Sequence, residues 1–220
     1  MSYIGSFKDK MAFDLGASSA NGGSSNKKLN VAIAPPGIGA VSGLKELAFE
    51  IASQERKTFI DLNKTPDAFV YAEGSLGLLE LSASTFSEVL LGNDFAVSPH
   101  FVGFGLLTEK MIDLSHASSG LLLLDMRENV SDETKTAIED FCLTKSALQK
   151  DFSHVSIVLL AQNINDLPEK IQNLSGEDLY TFVCSQEKED PFITSGHLSA
   201  YLKDKRAGSK GPLPTNLPAP

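Results

Sequence analysis

Residues 34–41, Ala-Pro-Pro-Gly-Ile-Gly-Ala-Val, are the segment whose residue types best suit ligand chemistry. They follow an apolar run at 29–34 and precede a stretch with helical periodicity. Glycines in such a turn allow backbone N–H groups to surround a phosphate at the N-terminus of a helix. The candidate binding residues in this loop are Pro36, Gly37, Gly39, Ala40 and Val41.

Two polar side chains stand at the ends of other apolar runs. Asp125 ends the run Gly-Leu-Leu-Leu-Leu-Asp at 120–125, and Asn163 follows the run at 154–160. A continuous apolar run of this length is typical of a strand that is covered on both faces of a parallel sheet. Because the carboxyl ends of parallel strands meet at one edge, we expect Asp125 and Asn163 to lie near the glycine loop.

Together these segments resemble the P-loop NTPases, especially the AAA+ and related ASCE families, in which a strand runs into Pro-Pro-Gly-x-Gly-Lys-Thr and then a helix. Residues 121–125 resemble the Walker B strand, whose acid orients the magnesium shell. Residues 160–163 resemble the sensor strand, and residues 164–171 are similar to the Asp-Leu-Pro stretch that often follows it. The resemblance spans residues 29–186 and implies a three-layer α/β fold with a mostly parallel sheet and a RecA/AAA-like core.

The resemblance also shows which catalytic groups the sequence lacks. With Gly39 aligned to the glycine before the family's lysine, Ala40 replaces the lysine and Val41 replaces the serine or threonine that binds magnesium. Met126 stands where the family commonly has a glutamate that polarises water, and Lys45 lies too far into the helix to replace Ala40. Phosphoryl transfer depends on these groups. We therefore expect no catalytic residues, no metal and no required cofactor, with ATP or ADP bound only if the loop retains that capacity.

Other chemical motifs are weaker. Ser42 and Lys45 match the Ser-x-x-Lys spacing of penicillin-binding enzymes, but the companion motifs are missing. Asp61, at the end of a second predicted strand, would contact a ribose if the fold were a dinucleotide-binding one, although the third glycine of that motif is absent. The histidines are far apart and lack metal-site spacing.

Short apolar runs alternate with amphipathic stretches, a pattern that predicts α/β units. Strands are expected at 29–34, 58–62, 68–71, 120–125, 154–160 and 179–184. A first helix should bury Val41, Leu44, Leu47, Ala48 and Ile51, and others should lie at 85–91 and 104–114. Ser131 should cap a helix that buries Ala137, Ile138, Phe141, Cys142 and Leu148, and Asp166 should cap a short helix with Pro168 in its first turn.

The composition limits the function classes. The chain of 220 residues has a formal charge of −9, which disfavours direct binding of nucleic acid, and it lacks an apolar run long enough to insert into a membrane. Cys142 and Cys184 have no Cys-x-x-Cys spacing and are expected to be reduced, which favours a cytoplasmic location. We expect a flexible Gly/Ser-rich leader at 1–28, one α/β domain at 29–202, and a Pro-rich basic tail at 203–220.

Three functional hypotheses follow. The first is a pseudo-ATPase that serves as a structural or adaptor subunit of a secretion, DNA-processing or packaging machine, with protein partners such as an active ATPase or further copies in an oligomer. The second is a nucleotide- or phosphate-binding α/β protein or enzyme that uses the lysine-less glycine loop. The third is direct binding of DNA, for which the basic cluster in the tail is the main support: Lys203, Lys205, Arg206 and Lys210.

Overall fold

A computed structural model describes residues 29–34, 40–64, 74–98, 101–174, 179–184 and 192–193. The strands are β1 Leu29–Ile33, β2 Thr58–Asp61, β3 Ser75–Ser82, β4 Phe95–Ser98, β5 Phe101–Phe104, β6 Ser119–Asp125, β7 Ser146–Ala147, β8 Lys150–Asp151, β9 Val155–Ala161, β10 Leu179–Cys184 and β11 Phe192–Ile193. The α-helices are α1 Ala40–Gln54, α2 Ala83–Leu90, α3 Leu106–His116, α4 Asp132–Thr144 and α5 Glu169–Gln172, and a 3-10 helix spans Ile164–Asp166.

Among the described residues, seven strands form one sheet in the order β11-β10-β1-β9-β6-β3-β2. All neighbouring strands from β10 to β2 are parallel, and only β11 is antiparallel to its neighbour. This confirms the predicted mixed α/β class with a mostly parallel sheet. The strands β6 and β9 lie inside the sheet and are almost wholly buried, as their continuous apolar sequences predict.

One face of the sheet is covered by α1. Its residues Ala40, Leu44, Ala48 and Ala52 are four positions apart, so they form one stripe along the helix and are all buried. Small alanine side chains in this stripe allow the helix to lie close to the sheet. The stripe packs against strand residues that include Leu78, Leu123 and Leu160.

The opposite face is covered by the other helices. A trio of phenylalanines from different elements forms the centre of this layer: the rings of Phe86 and Phe141 are 4.9 Å apart, and those of Phe141 and Phe152 are 5.5 Å apart. Both pairs meet edge to face, which is a favoured aromatic geometry. With α1 on one face and α2 to α5 on the other, the described elements form three layers.

Several predicted elements match the structure closely. The strands at the glycine loop, at Asp125, before Asn163 and at 179–184 are present, as is α1. Ser131 caps α4 as predicted, because its Oγ accepts a hydrogen bond from the Thr134 N–H at 3.2 Å. The predicted strand at 68–71, the leader at 1–28 and the tail at 203–220 lie outside the described residues.

Other predictions need correction. The strand β3 and the hairpin of β4 and β5 were not predicted, and α3 begins at Leu106 and not at Phe104, which belongs to β5. Leu148 is not part of α4, because α4 ends at Thr144 and Leu148 lies in the turn between β7 and β8 with a positive φ of 51°. Asp166 does not cap α5; it ends the 3-10 helix, and Pro168 holds the N-cap position of α5.

Candidate functional site

The candidate site lies where the parallel strands end. The register pairs Ile33 with Ala161 and Asp125 with Leu160, so the ends of β1, β9 and β6 are level with one another. The backbone continues this alignment, since the N–H groups of Ala34 and Met126 donate to the carbonyls of Ala161 and Leu160, each at 2.8 Å. The segments that carry Ala40, Asp125 and Asn163 therefore meet at one edge of the sheet.

The described part of the glycine loop offers no side chain for phosphate chemistry. Ala40 is the first residue of α1 and is buried against the sheet, and Val41 is half-buried beside the same apolar cluster. Both side chains are hydrocarbons, so neither can supply a cation or bind a metal ion. Pro36, Gly37 and Gly39 lie outside the described residues.

Asp125 is held by the residue two positions further along the chain. The Arg127 guanidinium donates to both carboxylate oxygens, from Nε to Oδ1 at 2.9 Å and from Nη2 to Oδ2 at 2.5 Å. The Arg127 backbone N–H also donates to Oδ1, at 3.0 Å. Bidentate, charge-assisted pairs of this kind are among the stronger hydrogen-bonding arrangements in proteins.

The protonation behaviour of Asp125 follows from this pair. Partial burial acts to raise the pKa of the carboxyl, but the hydrogen bonds and the charge of Arg127 outweigh it and hold the pKa below its ordinary value. The carboxylate is therefore ionised at neutral pH and already neutralised within the chain. A magnesium ion or its water shell would have to share these oxygens with the guanidinium.

Lys45 is also engaged by a charge from within the chain. Its Nζ forms an ion pair with the Glu80 carboxylate on β3. The backbone N–H and C=O of Glu80 in turn bond to the Asn63 side chain, at 2.8 and 2.7 Å. This supports the prediction that Lys45 does not replace the missing loop lysine. It also argues against a Ser-x-x-Lys catalytic pair, because Ser42 is exposed and Lys45 points to Glu80.

The residues after Asp125 provide no general base beside it. Met126 is fully buried in the apolar core, and Glu128 is exposed. Asn163, which was predicted to resemble a sensor residue, has an exposed side chain at the same edge. Its backbone N–H donates to Oδ2 of Asp166 at 2.7 Å, which fixes the turn into the 3-10 helix.

The strand order removes the dinucleotide-binding interpretation of Asp61. That interpretation requires the second strand to lie beside the first, so that its acid can reach a ribose next to the glycine loop. Here β2 lies at the far edge of the sheet, separated from β1 by β9, β6 and β3. Asp61 instead accepts a hydrogen bond from the Asn63 N–H at 3.1 Å and lies 3.5 Å from the Lys64 ammonium.

A groove of about 390 Å³ beside the edge strand was not found by sequence reasoning. It lies between α1 and β2, and its apolar floor contains Phe49 and Phe59, whose rings meet edge to face at 5.7 Å. Phe49 is 59% exposed. Phe49 does not fall on the four-residue spacing of the alanine stripe of α1. This offset is the signal that could have indicated that its ring is exposed.

Within the described ranges, no group of three or more His, Cys, Asp or Glu side chains is arranged to hold a metal ion. Of the histidines, His116 ends α3 and His154 directly precedes β9, whereas His100 and His197 lie outside those ranges. In the same part of the chain, none of the helices has both the length and the apolar character needed to cross a bilayer.

Comparison with known proteins adds no family assignment. No protein-family model matches the chain, and a search of curated proteins found no significant match.

Proposed function

We propose that this chain is a P-loop NTPase-like domain that does not hydrolyse nucleotide and serves as a structural or adaptor subunit of a larger assembly. The strand order supports the fold part of this proposal. The strand before the glycine loop, β1, is separated from the Walker B-like strand, β6, by the sensor-like strand, β9. The three segments that carry the resemblance to ASCE-type P-loop NTPases thus lie on neighbouring strands of one parallel sheet, as that resemblance implies.

The Asp125–Arg127 pair is the observation that carries the non-catalytic part. A Walker B acid acts by accepting hydrogen bonds from the water shell of magnesium, which requires accessible carboxylate oxygens. Both oxygens of Asp125 already accept hydrogen bonds from a guanidinium of the same chain. The acid remains in place in the strand, but its charge is used to hold a neighbouring side chain.

The other catalytic positions agree with this conclusion. Ala40 and Val41 lack the cation and hydroxyl, Met126 is buried where a base would be needed, and Lys45 is paired with Glu80. Each of these losses weakens phosphoryl transfer, and removing one charge contact to the transferred group costs roughly 10³-fold or more. A domain that keeps such a fold without the chemistry is best explained by a role in protein assembly, with a related ATPase or further copies of the chain as partners.

Calorimetric titration with ATP and ADP, with and without Mg²⁺, tests the proposal. We expect no Mg²⁺-dependent binding and no hydrolysis above that of the Asp125→Ala variant. A matched variant, Arg127→Ala, releases Asp125 without altering the loop. It is expected to remain inactive because the loop still lacks its lysine and hydroxyl.

Two other outcomes have defined meanings. Hydrolysis that is lost in Asp125→Ala would refute the proposal. Binding of ADP or ATP without any Mg²⁺ requirement, weakened by substitution of Gly37 or Gly39, would instead support the second hypothesis, a nucleotide- or phosphate-binding protein that uses backbone N–H groups alone.

A further inference from the structure

The β4–β5 hairpin presents an apolar face to solvent. The register places Phe95 opposite Phe104 and Val97 opposite Val102. Because alternate residues of a strand point to the same side, all four side chains lie on one face, which we call the hairpin face. Their exposed fractions are 58% for Phe95, 66% for Val97, 71% for Val102 and 61% for Phe104.

The base of the hairpin is firmly attached to the domain. The Asp94 carboxylate accepts a hydrogen bond from the Thr108 N–H at 2.5 Å, in the first turn of α3, and the Gly105 N–H donates to the Asp94 carbonyl at 3.0 Å. A Cβ at Gly105 would lie 2.0 Å from Asp94 Oδ1, so only glycine permits this contact. The hairpin face is therefore displayed from a fixed base against α3.

The exposed apolar area is of the size used in protein interfaces. Leu91 and Leu106, where the chain leaves α2 and enters α3, add exposed fractions of 47% and 52%. Phenylalanine side chains present about 150–250 Å² each, and valines and leucines somewhat less, so these six together expose roughly 600 Å², of which about 400 Å² lies on the hairpin face. The total approaches the ~800 Å² that each partner contributes to a standard interface, and the hairpin face alone is as large as the larger apolar patches that monomers usually expose.

The charge distribution favours a second copy of this chain as the partner that covers the hairpin face. The chain carries a formal charge of −9, so most contacts between two copies would bring like charges together. Residues 95–104, Phe-Ala-Val-Ser-Pro-His-Phe-Val-Gly-Phe, contain no Asp, Glu, Lys or Arg. Two copies can therefore meet here without placing charges of the same sign within the contact.

The residue pattern is also self-complementary. Each cross-strand pair on the hairpin face joins like with like, phenylalanine with phenylalanine and valine with valine. A twofold axis along the hairpin consequently places Phe95 over Phe104 of the second copy and Val97 over Val102. We propose that the hairpin face is a homodimer interface, in which two copies pack their hairpins face to face about a twofold axis. The inference does not depend on the state of the nucleotide loop.

Molar-mass measurement by light scattering over a wide range of concentrations tests this proposal. We expect the mass to rise from 23.6 kDa toward twice that value as the concentration of the full chain increases. Val102→Asp is expected to weaken the association at least tenfold, because it places two carboxylates in the contact. Val102 is 71% exposed, so this variant should fold normally.

Two further samples make the test specific. Phe49→Asp adds the same charge at a similarly exposed aromatic on α1 and should leave the dimer unchanged. Mixing Val102→Asp with Val102→Lys should restore the association, because the two substituted positions lie side by side across the twofold axis and bring opposite charges together only if the hairpin face contacts itself.

A monomer at every concentration would overturn the proposal, as would a dimer that survives Val102→Asp or is lost in Phe49→Asp. A monomeric chain whose hairpin amides become protected from hydrogen exchange only when residues 1–28 are present would assign the hairpin face to the leader instead. None of these results alters the outcome of the nucleotide titrations, so failure of this inference is distinguishable from failure of the proposed function.

Discussion

The carboxyl end of the sheet near Asp125 and the hairpin face differ in their side-chain contacts. Charged side chains are paired with each other in the first region, and apolar side chains are exposed in the second. At the edge, Asp125 is paired with Arg127 and Glu80 with Lys45, so these four charges are balanced within the chain. On the hairpin face, Phe95, Val97, Val102 and Phe104 carry no charge and are mostly in contact with water. In the first region, these four described side chains therefore have their charges already paired. Burial of the second region against a partner would be favourable, because it would remove apolar area from water.

The two regions correspond to what different functions require of a surface. An enzyme keeps some charges or donors unsatisfied until its substrate arrives, and the transition state then satisfies them. An assembly subunit instead keeps apolar surface available for a partner. If this contrast holds, the charges near Asp125 stay paired within the chain, and substitutions in the hairpin leave that region unchanged.

The largest expected effect concerns the buried core around Cys142 on α4. Burial raises the pKa of the Cys142 thiol to about 12, so very little thiolate is present at pH 8 and the side chain is covered. In a Cys184→Ser background, labelling of Cys142 by a thiol reagent should be slower than in denaturant by at least about 10³-fold. Val102→Asp should leave this protection unchanged. Rapid labelling of Cys142 in the Val102→Asp variant would mean that a change in the hairpin exposes the core.

Breaking the acid–arginine pair should have the next largest effect. Asp125→Ala leaves the partly buried Arg127 guanidinium without its partner, which we expect to lower the free energy of unfolding by about 1.5 kcal/mol, since solvent reaches both side chains. Denaturant titration measures this change. Arg127→Ala should cost a similar amount, and the double variant should cost less than the sum of the two. Additive effects would show that the pair is not a unit.

The same pair should make stability depend on pH in the acid range. Since Arg127 lowers the pKa of Asp125 in the folded state below its ordinary value of 3.8, the stabilisation is present above that value and is lost as pH falls through the folded pKa. The stability gap between the native chain and Asp125→Asn should therefore be constant near neutrality and close below pH 3.8. A gap that persists at the lowest pH where the chain folds would contradict an ionic origin.

A smaller effect is expected at the base of the hairpin. Gly105→Ala forces Asp94 away from the start of α3 and should lower stability by about 1 kcal/mol, the usual cost of losing a helix N-terminal hydrogen bond. Asp94→Ala should cost about the same, and combining the two should add little because both remove one contact. Chemical denaturation of the three variants provides the comparison. If Gly105→Ala proved neutral, Asp94 would not be what fixes the hairpin.

The smallest effect should come from Lys45. Its pair with Glu80 is partly exposed, with side-chain exposures of 29% and 28%, so Lys45→Ala should change stability by no more than about 0.5 kcal/mol. It should also leave the calorimetric titrations with nucleotide unchanged. A loss of nucleotide binding in this variant would mean that Lys45 leaves Glu80 to contact phosphate, and that the edge is open to ligands.

Parts of the fold with strong local signals could be predicted from the sequence. The apolar runs that form β6 and β9 are typical of strands inside a parallel sheet, and Ser131 is followed by acids that suit the first turn of α4. In contrast, β3 was missed because its sequence, Ser-Leu-Gly-Leu-Leu-Glu-Leu-Ser, consists largely of residues without a preference for strands. Pairing with β2 and β6 decides the conformation of β3, and such tertiary contacts cannot be read from the local sequence.

The candidate site was predictable only in outline. Residue types indicated that Ala40, Val41 and Met126 lack the groups needed for catalysis, and the strand ends indicated that Asp125 lies at the loop's edge of the sheet. The Arg127 pair was missed, although a basic residue two positions after an acid at a strand end could have suggested it. The hairpin also had a signal, since Phe95, Val97, Val102 and Phe104 alternate on both sides of Pro99. Assigning Phe104 to a helix concealed that alternation.

The strand order has a consequence for how the protein is made. β1 is the first described strand of the chain, yet both of its neighbours, β9 and β10, come from the other end: Asn30 pairs with Val158 on one side and Tyr180 on the other. At ribosomal rates of about 5–20 residues per second, β1 waits on the order of ten seconds for its first partner. The nascent chain must therefore carry an apolar strand with unpaired edges past the ribosome surface until β9 and β10 have been synthesised.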